Sequence, residues 1–203
     1  MKENNWFDPF YIQSHLNEEE SNIQKNVRDF CNNELKPTVV ERNRKNEFDK
    51  ELYPKFGSLG VLGQTVKTHG GSGTSNLAYG LVAYEFEKID SSYRSSISVQ
   101  SSLVIHPINE FGSQEQKDKY LPSLIKGEKI GCFGLTESEA GSDPASMKTS
   151  FKKTKDGYIL NGSKNWITNA PIADIFIIWA IEENKDHKSI KGFIIEKNTE
   201  GLN

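Results

Sequence analysis

The sequence predicts an α+β protein in which a helical part, residues 1–128, precedes a β domain, residues 129–203. Up to the segment that ends near Ile125, apolar residues recur at helical spacing. After Gly127 the pattern changes to short apolar runs separated by Asp-Gly and Asn-Gly turns, which are typical of hairpins. Helices followed by strands indicate an α+β architecture, and we expect the sheet to be antiparallel.

Capping signals and helix breakers locate the first helices. Asn17 with Glu20 three residues later is a capping-box pattern, and Pro37 interrupts the helix that follows. A shorter helical segment ends at Gly60. The apolar residues with helical spacing in these two segments are Ile23, Val27, Phe30, Cys31, Leu52, Phe56 and Leu59.

Three further segments complete the helical part. Residues 69–76, HGGSGTSN, are rich in glycine and serine but lack the spacing of phosphate-binding loops, so we interpret them as a flexible connection. Helical spacing resumes over residues 76–88. Ser113 with Gln116 is a second capping-box pattern. The helix that it opens has apolar residues at Tyr120, Leu121 and Leu124.

The strands of the β domain follow from turn chemistry and apolar runs. Asp156-Gly157 and Asn161-Gly162 are both hairpin-type turns. The unbroken apolar run at 175–181 predicts a fully buried strand, and residues 192–195 predict another. A further strand is expected to carry Trp166, Ile167 and Thr168.

Composition limits the classes of partner. The 203 residues include 25 Lys and Arg against 28 Asp and Glu, a net charge of −3, which gives no reason to expect nucleic acid or an anionic membrane surface as partner. No apolar run reaches the length of a membrane span, and residues 1–10 have neither a signal-peptide core nor the look of a transit peptide. The simplest interpretation is a cytoplasmic bacterial protein. A mitochondrial matrix protein would require a transit peptide that this sequence lacks.

The sequence offers few candidate metal ligands or catalytic bases. Cys31 and Cys132 stand in unrelated contexts and are expected to be buried free thiols. His106 is interpreted as a core or helix-end residue, and His69 and His187 as exposed loop residues. No spacing of His, Cys, Asp and Glu predicts a metal site. The carboxylates of Glu137 and Glu139 could form a pair, but a turn explains them adequately.

The stretch 131–169 has the residue types of a cofactor site. A Gly-Ser-Asp-Pro turn follows the run Gly-Cys-Phe-Gly-Leu-Thr-Glu. Thr136, Ser142 and Thr168 would place hydroxyls at adjacent strand ends, while Trp166 would form a flat apolar wall. Such a set could bind a planar, phosphate-bearing cofactor with strands instead of a helix N-terminus. From residue types alone, an ordinary β-hairpin is an equal alternative.

Two motifs in this stretch resemble the acyl-CoA dehydrogenase family, whose members use FAD to oxidise the α,β bond of acyl-CoA thioesters. They are G-C-F-G-L-T-E with the following G-S-D-P, and N-G-S-K-N-W-I-T-N; the resemblance extends over essentially the whole chain. It implies a FAD site here, in which Ser142 would also touch the thioester ligand. The residues that would form the FAD site are Phe133, Gly134, Leu135, Thr136, Gly141, Ser142, Trp166, Ile167 and Thr168.

The segment 91–109 has an unusual charge pattern for a helix. Its one charged residue, Arg94, shares a stripe with serines, whereas a solvent face would normally carry Lys and Glu. Because an unpaired guanidinium in an interior is costly, we expect Arg94 to meet an anion, either an internal carboxylate or the carboxylate of a ligand. The possible internal partners are Glu85, Glu87 and Asp90. The serines of the stripe are Ser95, Ser98, Ser101 and Ser102, beside an apolar stripe of Tyr93, Ile97 and Val104.

This segment, Y-R-S-S-I-S-V-Q-S-S-L-V-I-H-P-I, resembles the glutaryl-CoA dehydrogenase branch of the family, as do W-F-D-P-F and E-S-E-A-G-S-D-P-A-S-M. The resemblance implies that Arg94 binds the distal carboxylate of glutaryl-CoA, helped by Ser95 and Ser98. The reaction that it implies is oxidative decarboxylation to crotonyl-CoA and carbon dioxide, with electrons passing to an electron-transferring flavoprotein.

By the same resemblance, the chain should be an N-terminal fragment with a truncated β domain. In the family a second helical bundle follows, which supplies the glutamate base, further flavin contacts and most of the tetramer interface. We therefore expect no catalytic residue in this chain, and a homotetramer only for a full-length protein. The alternatives are another short- or branched-chain acyl-CoA dehydrogenase, an acyl-CoA oxidase, or a non-catalytic remnant that binds flavin or acyl-CoA.

Overall fold

Helices occupy the first part of the chain up to Ile125. The structure, a computed structural model, describes residues 8–203, so Trp6 and Phe7 of the W-F-D-P-F motif lie outside it. A π-helical turn extends the first helix over Cys31–Leu35, and another joins the fifth helix to the sixth over Val99–Ile105. The α-helices are α1 Glu18–Phe30, α2 Val39–Lys45, α3 Leu52–Ser58, α4 Asn76–Glu87, α5 Ser91–Ser98, α6 His106–Phe111 and α7 Gln114–Ile125.

The N-termini of α1 and α7 are capped by the side chains that the sequence predicted. Oδ1 of Asn17 accepts from the backbone N–H of Glu20 at 2.8 Å, and the Glu20 carboxylate accepts from the N–H of Asn17 at 3.2 Å. Ser113 and Gln116 exchange the equivalent pair of hydrogen bonds at 3.2 and 2.9 Å. Both predicted capping boxes are confirmed, and they satisfy backbone donors that a helix start leaves free.

The strands form a mixed sheet around a central strand. That strand, β4, pairs in parallel with β1 and β2 and antiparallel with β5, while β2 and β3 form a hairpin. Gly131 lies opposite Ile175, and Ser150 lies opposite Ile181. The strands are β1 Gly131–Gly134, β2 Ser150–Lys153, β3 Tyr158–Asn161, β4 Ile175–Glu182 and β5 Lys191–Glu196.

The prediction of an antiparallel sheet is therefore wrong for two of the four strand pairings. Residues 135–174 separate β1 from β4, and residues 154–174 separate β2 from β4. Connections of this length can return the chain to run parallel, whereas a two-residue turn cannot. The Asp156-Gly157 hairpin between β2 and β3 is confirmed. The predicted strands at 175–181 and 192–195 are also confirmed, although β4 is only alternately buried.

Two local predictions after β3 are wrong. Asn161-Gly162 does not make a hairpin, and Trp166, Ile167 and Thr168 lie in a loop and not in a strand. The reason is backbone conformation, because Trp166 has a φ of 61° and Asn169 a φ of 72°. Left-handed residues cannot continue an extended chain, so the segment turns instead of pairing.

One apolar core joins the helices to the sheet. The predicted stripe of Tyr93, Ile97 and Val104 is buried, and Ile175 and Ile177 of β4 belong to the same cluster. The sheet is therefore packed against the π-helical segment that follows α5. Other members with little or no exposure are Leu35, Tyr53, Phe56, Phe86, Leu121 and Leu124.

Two remaining features of the helical part bear on the sequence predictions. His69, expected to be an exposed loop residue, is half-buried, and its ring nitrogens contact the Thr68 hydroxyl and the Asp118 carboxylate at 2.8 Å each. The glycine-rich loop is tied down by a hydrogen bond from the N–H of Gly73 to the carbonyl oxygen of Val66 at 3.0 Å. Between residues 8 and 203, the structure contains no helix with the length and apolar character that a membrane span requires.

Candidate active site

Two loops of the β domain carry the motif residues and lie side by side. The first loop, residues 135–149, follows β1, and the second loop, residues 162–174, joins β3 to β4. The backbone N–H of Asn165 donates to the carbonyl oxygen of Thr136 at 2.9 Å. The structure therefore brings together the two motifs, which are about thirty residues apart in the sequence.

Trp166 projects from the second loop with 91 % of its surface exposed. Its left-handed backbone is strained for a bulky residue, and such strain persists only where the surroundings hold it in place. Asn169 helps to do so, because its side-chain amide donates to the carbonyl oxygen of Gly131 at 3.1 Å. Thr168 is exposed beside Trp166, and Ile167 is half-buried. The second loop thus presents a flat apolar wall to solvent, with a hydroxyl next to it.

Glu137, next to Thr136, is buried at the base of the first loop. Its carboxylate accepts hydrogen bonds from the backbone N–H groups of Lys148 at 2.7 Å and Thr149 at 3.0 Å, and from Nζ of Lys164 at 2.7 Å. Burial is the largest influence on the pKa of Glu137 and raises it, but the hydrogen bonds together outweigh burial and lower the pKa to about 2. The sequence interpretation of Glu137 as a turn residue missed this role. A signal was present, since Lys164 is the one charged residue of N-G-S-K-N-W-I-T-N and the first motif supplies acidic residues that could pair with it.

The tip of the first loop lies open to solvent. Gly141 and Ser142 are exposed, and a Cβ added at Gly141 would meet no atom within 4 Å. Glu139 and Lys148 form an ion pair on the surface of the same loop, with both side chains at least 70 % exposed. The loop therefore has a buried acidic residue at its base and an accessible hydroxyl at its tip.

Phe133 and Gly134, at the end of β1, are held by packing. The Phe133 ring stands edge-on to the Trp179 ring, with centroids 6.0 Å apart. Gly134 is buried, and a Cβ there would lie 2.5 Å from Cδ1 of Ile178, so a larger residue would require the Ile178 side chain to move. Leu135 is half-buried where the strand passes into the first loop.

Arg94 lies on α5 and contacts an internal carboxylate. Its Nε donates to Oε2 of Glu87 at 2.7 Å, and 37 % of the Arg94 side chain is exposed. The Ser91 hydroxyl also donates to Glu87, and both contacts lower the pKa of that carboxyl, the Ser91 hydrogen bond more. Ser95 and Ser98 are half-buried on the same helix. Within residues 8–203, the Arg94 guanidinium makes its side-chain hydrogen bond through Nε and none through its two terminal nitrogens.

A buried glutamine that sequence reasoning missed joins this helical segment to β1. Oε1 of Gln100 accepts from the N–H of Gly131 at 2.7 Å, and Nε2 donates to the carbonyl oxygens of Leu124 and Lys129 at 2.9 Å each. Gln100 is fully buried. It therefore fixes the start of β1, and with it the first loop, relative to the helical segment that continues from Arg94. No local sequence signal marks a glutamine for this role.

The remaining candidate groups are engaged or inert. Cys31 and Cys132 are free and buried as predicted, and burial raises the pKa of each thiol to about 12. His106 is exposed at the start of α6. In the part of the chain that the structure describes, no group of three or more His, Cys, Asp or Glu side chains could hold a metal ion.

Comparison with known proteins shows which family the chain belongs to. Residues 17–128 match the acyl-CoA dehydrogenase N-terminal domain, and residues 132–203 match the acyl-CoA dehydrogenase middle domain. The chain belongs to the acyl-CoA dehydrogenase family. A glutaryl-CoA dehydrogenase from Mycobacterium smegmatis, solved in complex with FADH2, is 41 % identical with a TM-score of 0.91, over 96 % of this chain and 49 % of that one.

Acyl-CoA dehydrogenases of other substrate classes are similar to nearly the same degree. The butyryl-CoA dehydrogenase from Megasphaera elsdenii is 40 % identical with a TM-score of 0.84, over 92 % of this chain and 50 % of that one. The mitochondrial isovaleryl-CoA dehydrogenase from Pongo abelii is 39 % identical over 92 % of this chain and 46 % of that protein. The chain thus spans about half the length of the relatives it matches. The similarity shows the family and leaves the acyl group open.

Proposed function

We propose that this chain binds FAD against Trp166 and supplies the flavin-contacting part of an acyl-CoA dehydrogenase site. The observation that carries the proposal is the exposed, strained Trp166 held beside Thr136 by the hydrogen bond between the two loops. The residues fit the cofactor, because a flat apolar wall, a threonine on each loop and an open Gly-Ser tip suit a planar ring that carries phosphates. A domain boundary near residue 128 belongs to this proposal, supported by the family matches over residues 17–128 and 132–203, and it would put the whole cradle in the second domain.

In this proposal each group of residues has one task. FAD, when bound, supplies the capacity to accept a hydride from the β-carbon of the acyl group. Trp166 orients the ring, while Thr136 and Thr168 donate hydrogen bonds to it, and Ser142 contacts both the cofactor and the thioester. Phe133, Leu135 and Ile167 exclude water from one side of the site. Gly134 and Gly141 keep side chains out of the cradle.

We further propose glutaryl-CoA as the substrate, with the distal carboxylate bound by Arg94, Ser95 and Ser98. The support is that the Glu87 contact uses only Nε, which leaves the terminal guanidinium nitrogens for a second carboxylate. The reaction would then be oxidative decarboxylation to crotonyl-CoA and carbon dioxide, with electrons passed to an electron-transferring flavoprotein. The alternative is an unsubstituted short- or branched-chain acyl group, since Glu87 already neutralises much of the Arg94 charge.

The carboxylates near the two loops do not act as the α-proton base in this proposal. Glu137 is ion-paired and fully hydrogen-bonded, and Glu139 is paired with Lys148. The other two acidic residues of these loops also have partners: Asp143 accepts from the Ser146 hydroxyl, and Asp174 accepts from the backbone N–H of Ile130. A base must reach the proton that it removes and must hold a pKa suited to the task. Dehydrogenation is therefore expected to need a carboxylate that residues 8–203 do not present at this site, and tetramer assembly is proposed only for a protein of the relatives' length.

The experiment that tests the proposal titrates FAD into the purified chain and follows quenching of flavin fluorescence. We expect saturable binding that the replacement Trp166→Ala weakens at least tenfold. Glutaryl-CoA, butyryl-CoA and isovaleryl-CoA are then added to the complex, and the flavin spectrum and the reduction of an acceptor dye are recorded. Absence of FAD binding would overturn the proposal. A larger spectral change with butyryl- or isovaleryl-CoA would overturn the glutaryl assignment.

A second candidate function is flavin or acyl-CoA binding without turnover. The engagement of both Glu137 and Glu139 favours it for this chain by itself. The same experiment tests the second function. FAD or acyl-CoA binding without dye reduction agrees with it, whereas dye reduction would exclude it and would also contradict the expectation that residues 8–203 present no α-proton base.

A further inference from the structure

We infer that the buried ion pair of Glu137 and Lys164 is a positioning device, which holds Trp166 and Thr136 in the conformation that accepts the flavin ring. This inference rests on the proposed FAD site and concerns residues that are not themselves expected to touch the cofactor. Both partners are almost fully buried, with 9 % of the Glu137 side chain and 7 % of the Lys164 side chain exposed. Their oxygen and nitrogen atoms lie 2.7 Å apart.

The pair connects three parts of the site at once. Nζ of Lys164 donates to the Glu137 carboxylate and also to the carbonyl oxygen of Leu135, at 3.0 Å. The same carboxylate accepts from the N–H groups of Lys148 and Thr149, which closes the first loop at its base. The pair therefore sets the shape of the first loop and fixes the second loop to it.

Lys164 lies two residues before Trp166, whose left-handed backbone is strained. Asn165, the next residue, donates to the carbonyl oxygen of Thr136, and Trp166 follows in its left-handed conformation. A bulky residue leaves that conformation unless neighbouring contacts prevent it. Trp166 lies between two such contacts: the Lys164 ion pair with Glu137 before it, and the Asn169 hydrogen bond to Gly131 after it. Loss of the Glu137–Lys164 pair should let the Trp166 backbone relax, so that the cofactor-free chain no longer presents the indole ring in the position that the flavin requires.

The chemistry of the pair favours this role over simple stabilisation. Buried ion pairs contribute little net stability because both charges lose their hydration, and apolar replacements of similar volume often fold as well. A buried pair that is also hydrogen-bonded to three backbone groups, as here, restricts loop geometry far more than an apolar contact would. Preorganised supports of this kind raise the affinity of a site by removing alternative conformations.

The test compares Glu137→Gln and Lys164→Met with Glu139→Gln, a matched control that breaks the exposed pair on the same loop. Two quantities are measured at a temperature where every variant is folded: the FAD dissociation constant, and amide hydrogen exchange at Asn165, Lys148 and Thr149 in the cofactor-free chain. We expect Glu137→Gln and Lys164→Met each to weaken FAD binding about tenfold or more and to accelerate exchange at these amides. The double replacement should weaken FAD binding no more than either single replacement, because the two residues act as a unit. Glu139→Gln should change neither quantity.

The outcomes separate this inference from the proposed function. If the unaltered chain fails to bind FAD, the proposed function fails, and the flavin role of the pair fails with it. If the unaltered chain binds FAD and Glu137→Gln binds it equally tightly, the positioning role alone is overturned. A fall in thermal stability without a change in FAD affinity would also overturn it. Should Glu137→Gln not fold, Lys164→Arg carries the test: it keeps the charge but displaces the donor, and unchanged FAD affinity would contradict the inference.

Discussion

Two charged contacts show how individual residues act in this protein. Arg94 and Glu87 are on consecutive helices, and Glu137 and Lys164 are on two different loops. The first pair is half-exposed and leaves donor groups available, whereas the second is buried and saturated. Because of this difference in burial, the Arg94–Glu87 pair can also bind a ligand, whereas the Glu137–Lys164 pair can only stabilise the conformation of the loops.

Replacing Arg94 by Gln tests the ligand role of the exposed pair. In the FAD-loaded chain we expect the affinity for glutaryl-CoA to fall by about 1–3 kcal/mol, because a partly desolvated charge pair with the distal carboxylate is lost. The affinity for butyryl-CoA should change far less, since butyryl-CoA has no distal carboxylate. Isothermal titration calorimetry with both ligands measures the difference. Equal losses would show that Arg94 supports the helix and not the substrate.

Replacing Glu137 by Gln tests the buried pair through pH. The pKa of Glu137 in the folded chain is about 2, below its ordinary 4.5, so above about pH 4.5 the fold is more stable with this carboxyl charged than with it protonated. That contribution, up to about 3 kcal/mol, is lost as the pH falls through 2. Urea unfolding of the parent and of Glu137→Gln between pH 6 and 3 should show the steeper loss in the parent. Parallel curves would contradict the pKa shift, and Glu139→Gln is the matched control.

At the level of helices and strands, β1 lies close against the π-helical segment after α5. A Cβ at Gly131 would lie 2.4 Å from Cγ1 of Val104, a separation that neither backbone can accept without moving. Gln100 forms hydrogen bonds across the same junction. The small size of Gly131 and the side-chain amide of Gln100 thus fix how β1 packs against the helical part.

Two glycine-to-alanine replacements with opposite expected signs test this junction. Gly131→Ala should destabilise the chain by about 1–3 kcal/mol, because the added methyl group overpacks the contact with Val104. Gly80→Ala, in the exposed middle of α4 with no atom within 4 Å of the added Cβ, should stabilise it by about 0.5–1 kcal/mol. Free energies of unfolding in urea measure both changes. Equal effects would show that the junction is looser than the structure indicates.

In the molecule as a whole, helices and sheet share one core. Ile175 and Ile177 of β4 belong to the same cluster as Phe56 and Phe86 of the helical part. Neither part therefore buries its apolar face without the other, although two family domains meet at the boundary.

The shared core predicts one cooperative unfolding transition. Far-UV circular dichroism, which is dominated by the helices, and the fluorescence of the tryptophans, of which Trp166 and Trp179 lie in the β domain, should report the same urea midpoint. Two separated midpoints would show that the domains unfold independently. Phe151→Ala, which truncates a buried residue of β2, should lower both midpoints together.

Much of the chain's organisation could be predicted because it depends on neighbours in sequence. The capping boxes at Asn17 and Ser113, the turn at Asp156-Gly157 and the apolar run of β4 are local patterns, and the structure confirms them. The two motifs likewise indicated the family that the comparisons show. Such features need only the chemistry of a few consecutive residues.

The tertiary structure decided what depends on distant partners. The parallel pairing of β4 with β1, the loop conformation at Trp166 and the Glu137–Lys164 pair all join segments that are about thirty or more residues apart. Local patterns predicted a strand where Trp166 lies, because aromatic and β-branched residues favour strands when nothing else is known. Contacts from Lys164 and Asn169 override that preference, since hydrogen bonds and packing made across the fold outweigh the small intrinsic preferences of single residues.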